Sequence, residues 1–203
     1  MTESRGCVIL AGGHGSRLGG VNKALLQVGG QPIVERTLTA IRPLVEHFTL
    51  VVNDDVLASL NIPLFHDPAP HAGVLPALLT GLRATSADLC LVAACDMPFI
   101  RSALAKHLFE SCQDHDVCLP YTDGRPEPML AVYRRKPCIE AISGALALGH
   151  MRMIAFLDDL RVARLDERDL KAHDPELLSF FNVNEPDDLA KAQVIAKRVD
   201  NLK

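Results

Sequence analysis

"LAGGHGSRLGGVNKALLQVGG", residues 10–30, follows the apolar run Cys7-Val8-Ile9-Leu10 and carries seven glycines together with Arg17 and Lys23. A short apolar run closed by glycine reads as a buried strand ending at Leu10. In open α/β sheets ligands collect at the carboxyl ends of strands, so the glycines stand where a binding loop belongs. Glycine lets backbone N–H groups turn toward an anion and lets that anion approach without meeting a Cβ atom. Arg17 and Lys23 add the charge that glycine lacks. Two familiar phosphate loops fail on spacing. From Gly13 the dinucleotide pattern lacks its third glycine, and from Gly15 the Walker pattern reaches Gly20 but meets Val21-Asn22 instead of Lys and Ser/Thr.

Working outward, apolar runs alternate with segments of helical period. Gly6 to Leu10, Phe48 to Asn53, Ile62 to Asp67, Leu89 to Cys95 and Val117 to Pro120 read as strands. Pro32 to Leu44 sets Ile33, Leu38, Ile41 and Val45 near one helical face, and Leu75 to Ala84 and Ser102 to Ser111 read as helices too. Parallel strands need crossover helices, so this alternation predicts an α/β layer sandwich with a mostly parallel sheet. Beyond residue 120 we expect a strand at Met129–Tyr133, helices at Lys136–Leu148 and Met151–Leu160, a strand at Arg161–Leu165 and a closing helix at Pro186–Val199. No repeat or linker-like tract interrupts the chain, so residues 1–203 are read as one domain.

Composition narrows the partners. A net charge of −4 argues against a surface built to hold a nucleic-acid backbone. No apolar run approaches the ~20 residues that span a bilayer, and the chain opens without a signal-peptide pattern, so a soluble cytoplasmic protein is expected. Cys7, Cys90, Cys95, Cys112, Cys118 and Cys138 contain no C-x-x-C pair and read as buried free thiols. The histidines lack ligand spacing such as H-E-x-x-H, so no zinc site is expected.

Three further points carry chemistry. Asp96 ends the run Leu89 to Cys95, and Pro98 stops the strand, which places a carboxylate at the mouth of the sheet. It could serve a Mg²⁺ ion, which on nucleotide phosphates needs only one or two protein carboxylates, or it could simply form a turn. Asn53 and Asp67 end strand-like runs and could read a base edge or a ribose hydroxyl, or could cap turns. Asn182 and Asn184, in "FFNVNEPDDLA", are two apart in an extended stretch and should point the same way.

Taken together, "LAGGHGSRLGGVNKALLQVGGQPIVERTL", "VVN" at 51–53, "HDPAPHAGVLPALLTGL" at 66–82, "AACDMPF" at 93–99, "RPEPMLAVYR" at 125–134 and "NVNEPDDLA" at 182–190 resemble the molybdenum cofactor guanylyltransferases. The resemblance covers essentially the whole chain. It implies a three-layer, Rossmann-like sheet of the nucleotide-diphospho-sugar transferase type, and an enzyme that moves GMP from GTP to molybdenum-bound molybdopterin with release of pyrophosphate. It further implies that Leu10, Ala11, Gly12 and Gly13 border guanine and ribose, that Gly15, Ser16 and Arg17 face the phosphates, and that Lys23 sits against the triphosphate. A fixed ammonium there would stabilise the charge that builds on departing pyrophosphate. By the same resemblance Asn53 and Asp67 stand beside GTP, Asp96 holds Mg²⁺, and Asn182 and Asn184 contact molybdopterin. "LAGG" resembles the guanine form of the loop, whereas the related cytidylyltransferase usually reads "LAAG". "RPEPMLAVYR" departs from the "HPT" wording of some relatives, and its contacts stay open. Implied partners are GTP, molybdenum-molybdopterin, other cofactor-biosynthesis proteins and apo-molybdoenzymes, with no nucleic acid and no membrane. The alternatives are a cytidylyl or sugar-phosphate nucleotidyltransferase, and a carrier that holds the pterin without chemistry.

Overall fold

The computed structural model of the chain describes residues 3–12, 14–15, 20–67 and 73–200, with backbone only at 14 and 15. Its centre is an eight-stranded sheet: β1 (Arg5–Leu10), β2 (His47–Val52), β3 (Leu64–His66), β4 (Leu89–Ala94), β5 (Val117–Thr122), β6 (Arg125–Pro126), β7 (Leu130–Arg134) and β8 (Val162–Leu165). The order across the sheet is β6-β5-β7-β4-β1-β2-β3, with β8 paired to β5. β1 runs parallel to β2 and β4, β2 to β3, and β5 to β8. β7 is antiparallel to both β4 and β5.

The sequence builds this sheet because its strands are apolar on both faces, as parallel strands covered by helices must be. Cys7, Ile9, Leu89, Leu91 and Ala93 face α1 (Ile33–Ile41) and α3 (Ser102–Cys112), while Val8, Leu10, Cys90 and Val92 face α2 (Val74–Ala84) and α4 (Arg135–Ala147). Two cores result, one on each side of the sheet. Each fully buried Leu, Ile or Val contributes about 1.5–3 kcal/mol, so these two layers dominate the favourable side of folding. After β8 come α5 (Glu167–Lys171), opened by an Asp166/Asp169 capping box, and α6 (Pro186–Asp200). α6 has Asp187 and Asp188 in its first turn and Lys197 and Arg198 in its last, which suits the helix dipole at both ends. Ala192 and Ala196 bury against Val28, Ile33, Phe99 and Val183. Arg36 fastens the far end of α6: its Nη1 and Nη2 donate to Asp200 at 2.9 and 3.0 Å, and its Nε to Pro98 O at 3.0 Å.

Two expectations change. The helix over Pro32–Leu44 stops at Ile41 and passes into a 3₁₀ turn at Arg42–Leu44, because Pro43 has no N–H for the next helical bond. Met151–Leu160 is not a helix. It is a chain of turns whose bonds run three residues back: Ala155 N to Arg152 O, Leu157 N to Ile154 O and Leu160 N to Leu157 O. Asp158 and Asp159 would stand at the negative end of a helix here, and the segment instead sinks Phe156 against Tyr133, with ring centroids 6.1 Å apart. Its helix-like apolar spacing records that burial. The six cysteines are free and buried, as read from the sequence.

Candidate active site

From β1 the chain steps to β2 and β3 on one side and then returns to β4 on the other, so its winding reverses at the β1/β4 crevice. That crevice, at the carboxyl ends, is where sheets of this kind bind ligands. Leu10 is level with both Val51 and Ala94, and Val52 with His66. The pairing continues past the strands, with Ala11 N on Val51 O at 2.7 Å, Cys95 N on Leu10 O at 3.2 Å and Asp67 N on Val52 O at 3.0 Å. Two residues further on, Gly12 is therefore level with Asn53 and Asp96, and Asn53 with Asp67. Asp67, Asn53, Gly12 and Asp96 form one row along the rim, spanning about 14 Å at ~4.8 Å per strand. Within it Asn53 Nδ2 donates to Gly12 O at 2.5 Å. A Cβ on Gly12 would meet Asn53 Oδ1 at 2.8 Å and push the amide away from Gly12 O.

Lys23 reaches the row through a small hairpin. His14–Gly15 pairs antiparallel with Val21–Asn22 and folds the chain back toward the rim. Asn22 Oδ1 accepts from Ala24 N at 3.0 Å and starts the turn Lys23–Leu25, in which buried Ala24 acts as the anchor. Lys23 Nζ then donates to Asp96 Oδ2 at 3.0 Å and to Asn184 Oδ1 at 2.6 Å. The Lys23 and Asp96 side chains are only 15% and 16% exposed. Ion pairs drawn this far out of water add little net stability, so a fold has small reason to keep one unless it acts.

Asn184 belongs to a loop tied to the same carboxylate residue, since Val183 N donates to Asp96 O at 2.9 Å. Asp188 Oδ2 accepts from Asn184 N and Glu185 N, both at 3.1 Å, and holds the loop onto the start of α6. The two asparagines are engaged differently. Asn184 reaches Lys23, whereas Asn182 Nδ2 donates to Phe180 O at 2.9 Å within its own turn. Asp96 Oδ1 is buried and has no hydrogen-bond partner among the described residues. A buried carboxylate oxygen left over in this way suits a hard cation. Among the described residues no group of three or more His, Cys, Asp or Glu could hold a metal by itself, so a cation here would need oxygens from its ligand.

The side chains of Leu10 and Ala11 go to the core, and only their backbone borders the rim. Gly13, Ser16 and Arg17 lie outside the described residues, and Gly15 is described by backbone alone. Sequence reasoning missed the Asn22 cap, the Lys23–Asn184 bond and the Val183 tie to Asp96. The Asn-Lys step at the end of a glycine loop was the one local signal for the first. Beside the site, Cys95 has its thiol pushed up to about 12, first by burial and then by the Asp96 charge, so it is an inert neighbour. A cavity of about 500 Å³ opens between α1, α3 and the end of α6, lined among others by Arg36, Phe99, Arg101 and His173. It contains no residue of the row, so chemistry and not size locates the site.

Residues 7–162 match the family model of the MobA-like NTP transferase domain. The chain belongs to that family. Among MobA-like relatives, the molybdenum cofactor guanylyltransferase of Desulfosudis oleivorans is 33% identical over 192 residues, 94% of this chain and 95% of that protein. The solved molybdopterin-guanine dinucleotide biosynthesis protein A from Archaeoglobus fulgidus superposes with a TM-score of 0.81 at 28% identity, covering 96% of this chain and all of that one. The 2-C-methyl-D-erythritol 4-phosphate cytidylyltransferase from Thermus thermophilus, at 20% identity and a TM-score of 0.71 over 94% of this chain and 98% of its own, shares the fold. The MobA-like architecture is thus the nucleotide-diphospho-sugar transferase fold, a mostly parallel sheet between helical layers, and the chain is a nucleotidyltransferase.

Proposed function

We propose that this MobA-like enzyme transfers GMP from GTP to the terminal phosphate of molybdenum-bound molybdopterin, giving the guanine dinucleotide form of the cofactor and pyrophosphate. The observation that carries the reading is the contact of Lys23 with Asp96 at the β1/β4 crevice, in line with Gly12, Asn53 and Asp67. A phosphate oxygen of the acceptor attacks the α-phosphorus of GTP, the bond to the β-phosphate oxygen breaks, and its electron pair leaves on pyrophosphate. An acceptor phosphate is ionised at neutral pH, so the step needs no general base, and positioning with charge stabilisation supplies the catalysis.

Asn53 and Asp67 stand on the side of the row where the base and ribose would be read, with amide and carboxylate groups fitted to donors and acceptors of either kind. By the family resemblance Gly12 and Gly13 would border guanine and ribose, and Gly15, Ser16 and Arg17 would face the triphosphate. Lys23 stabilises charge on the departing pyrophosphate. Asp96, with its unpartnered Oδ1, would hold Mg²⁺, which supplies neutralisation of the phosphate oxygens when bound. Asn182 and Asn184 border the acceptor. The six buried free thiols accord with a reducing cytoplasm as the place of action, and no helix among the described residues is long and apolar enough to cross a membrane.

Purified protein with Mg²⁺, molybdenum-loaded molybdopterin and each of the four nucleoside triphosphates tests this through pyrophosphate release. Release with GTP and pterin together is the expected result. Release with CTP instead, or with a sugar phosphate as sole acceptor, would assign a different nucleotidyltransferase, and no release with any pair would favour a carrier.

A further inference from the structure

The stretch "RPEPMLAVYR" has no part in the reaction described above, yet its first half leads through β6 to the start of β7, beside the end of β4. Ala94 N donates to Met129 O at 3.2 Å, which joins the end of β4 to the turn that opens β7. Leu130 N on Glu127 O at 3.2 Å closes that turn, and Glu127 N donates to Pro120 O at 2.9 Å. Glu127 therefore lies beside Pro120 of β5, in the connection from β6 to β7, and reaches the end of β4 through Met129.

Its side is set by alternation along β5. Val117 and Leu119 face α2 and α4, Cys118 faces α1 and α3, and Thr122 falls on the Cys118 side. The Thr122 hydroxyl donates to Glu127 Oε1, so the carboxyl is held on the face covered by α1 and α3, and Ile33 of α1 packs in turn against Val183 and α6. Glu127 is half-buried, and burial, with a smaller push from Asp123, raises its carboxyl above the usual range against the Thr122 bond. A half-buried carboxyl held by one neutral hydroxyl keeps its second oxygen open to the donors of a ligand.

We infer that Glu127 reads the heterocycle of the acceptor, its second oxygen and remaining lone pairs accepting the adjacent N–H donors of a 2-amino-4-oxopyrimidine ring, with Thr122 as the positioning residue. The inference rests on the acceptor assigned above, because a pterin presents that edge. Two neighbouring donors matched to two carboxylate oxygens give a directional, charge-assisted contact. Guanine carries the same donor edge. Asn53 and Asp67, however, lie on the opposite side of Asp96 from Glu127, so the two ends of the rim take the two substrates and Glu127 takes the pterin.

Steady-state kinetics of Glu127→Gln test this, with molybdenum-loaded molybdopterin varied at saturating GTP and then the reverse. The amide turns an N–H donor toward the donors of the ligand, so the acceptor KM should rise about 10- to 100-fold. The KM for GTP and kcat should stay within about threefold, a split that general damage to the fold would not produce. Thr122→Val keeps the carboxylate and should raise the acceptor KM by a smaller factor. An acceptor KM unchanged in both variants, or a rise in the GTP KM in its place, would overturn the assignment. Absence of any transfer by the unaltered protein would instead remove the function proposed above, which is a separate outcome.

Discussion

Lys23 and Asp96 are far apart in sequence, and their contact at 3.0 Å is the chemical centre of the molecule. Lys23→Ala removes the ammonium that meets charge on the departing phosphate, and Asp96→Asn removes the carboxylate whose Oδ1 is unpartnered. Each should lower kcat for GMP transfer by about 10²- to 10³-fold, the magnitude typical of one electrostatic group at a reacting centre. Pyrophosphate release under saturating substrates measures this, and circular dichroism should show an unchanged fold. Near-normal turnover in both variants would refute the assignment. The residue types were legible early: the glycines, Lys23, Asp96, Asn53 and Asp67 all stood out as groups at strand ends. What Asn184 touches was not, since the amide bonds a residue on a distant segment and no spacing within "NVNEP" encodes that distance.

Elements show the same division. The strands announce themselves because burial on both faces leaves near-continuous apolar runs, while Met151–Leu160 has the spacing of a helix without its bonds. One glycine inside α2 marks how tightly a helix must approach the sheet. A Cβ on Gly81 would fall 2.3 Å from Val8 Cγ1 and 3.1 Å from Val51 Cγ2. In an isolated helix Gly→Ala gains roughly 1 kcal/mol. Here both neighbours are buried strand side chains without room to move, so Gly81→Ala should destabilise by about 1–3 kcal/mol, the usual cost of overpacking. Urea unfolding decides the sign, and a stabilised variant would show that α2 can lift from β1 freely.

At the scale of the whole molecule, the sheet separates two apolar layers, and these carry all six thiols. Burial pushes Cys90, Cys95 and Cys118 up to about 12 and Cys112 up to about 11, from an ordinary value of 9.0. Above pH 9 the unfolded chain loses these protons first, so it binds fewer protons than the folded one and stability falls as pH rises. The urea midpoint should hold to about pH 8 and decline between pH 9 and 12. At neutral pH a thiol reagent should leave the folded protein unmodified and label six cysteines once it is unfolded. Rapid labelling of the native protein would contradict the packing.

By itself the sequence determined the class of fold and the kinds of group at the site, because apolar period and glycine content act locally along the chain. It also foretold the single helix at the end and the reduced thiols. Tertiary structure alone decided that Asp67, Asn53, Gly12 and Asp96 stand in one row and that Lys23 folds back onto that row. The reason is register: which residues come level depends on the order and offset of strands that are neighbours in space and remote in sequence.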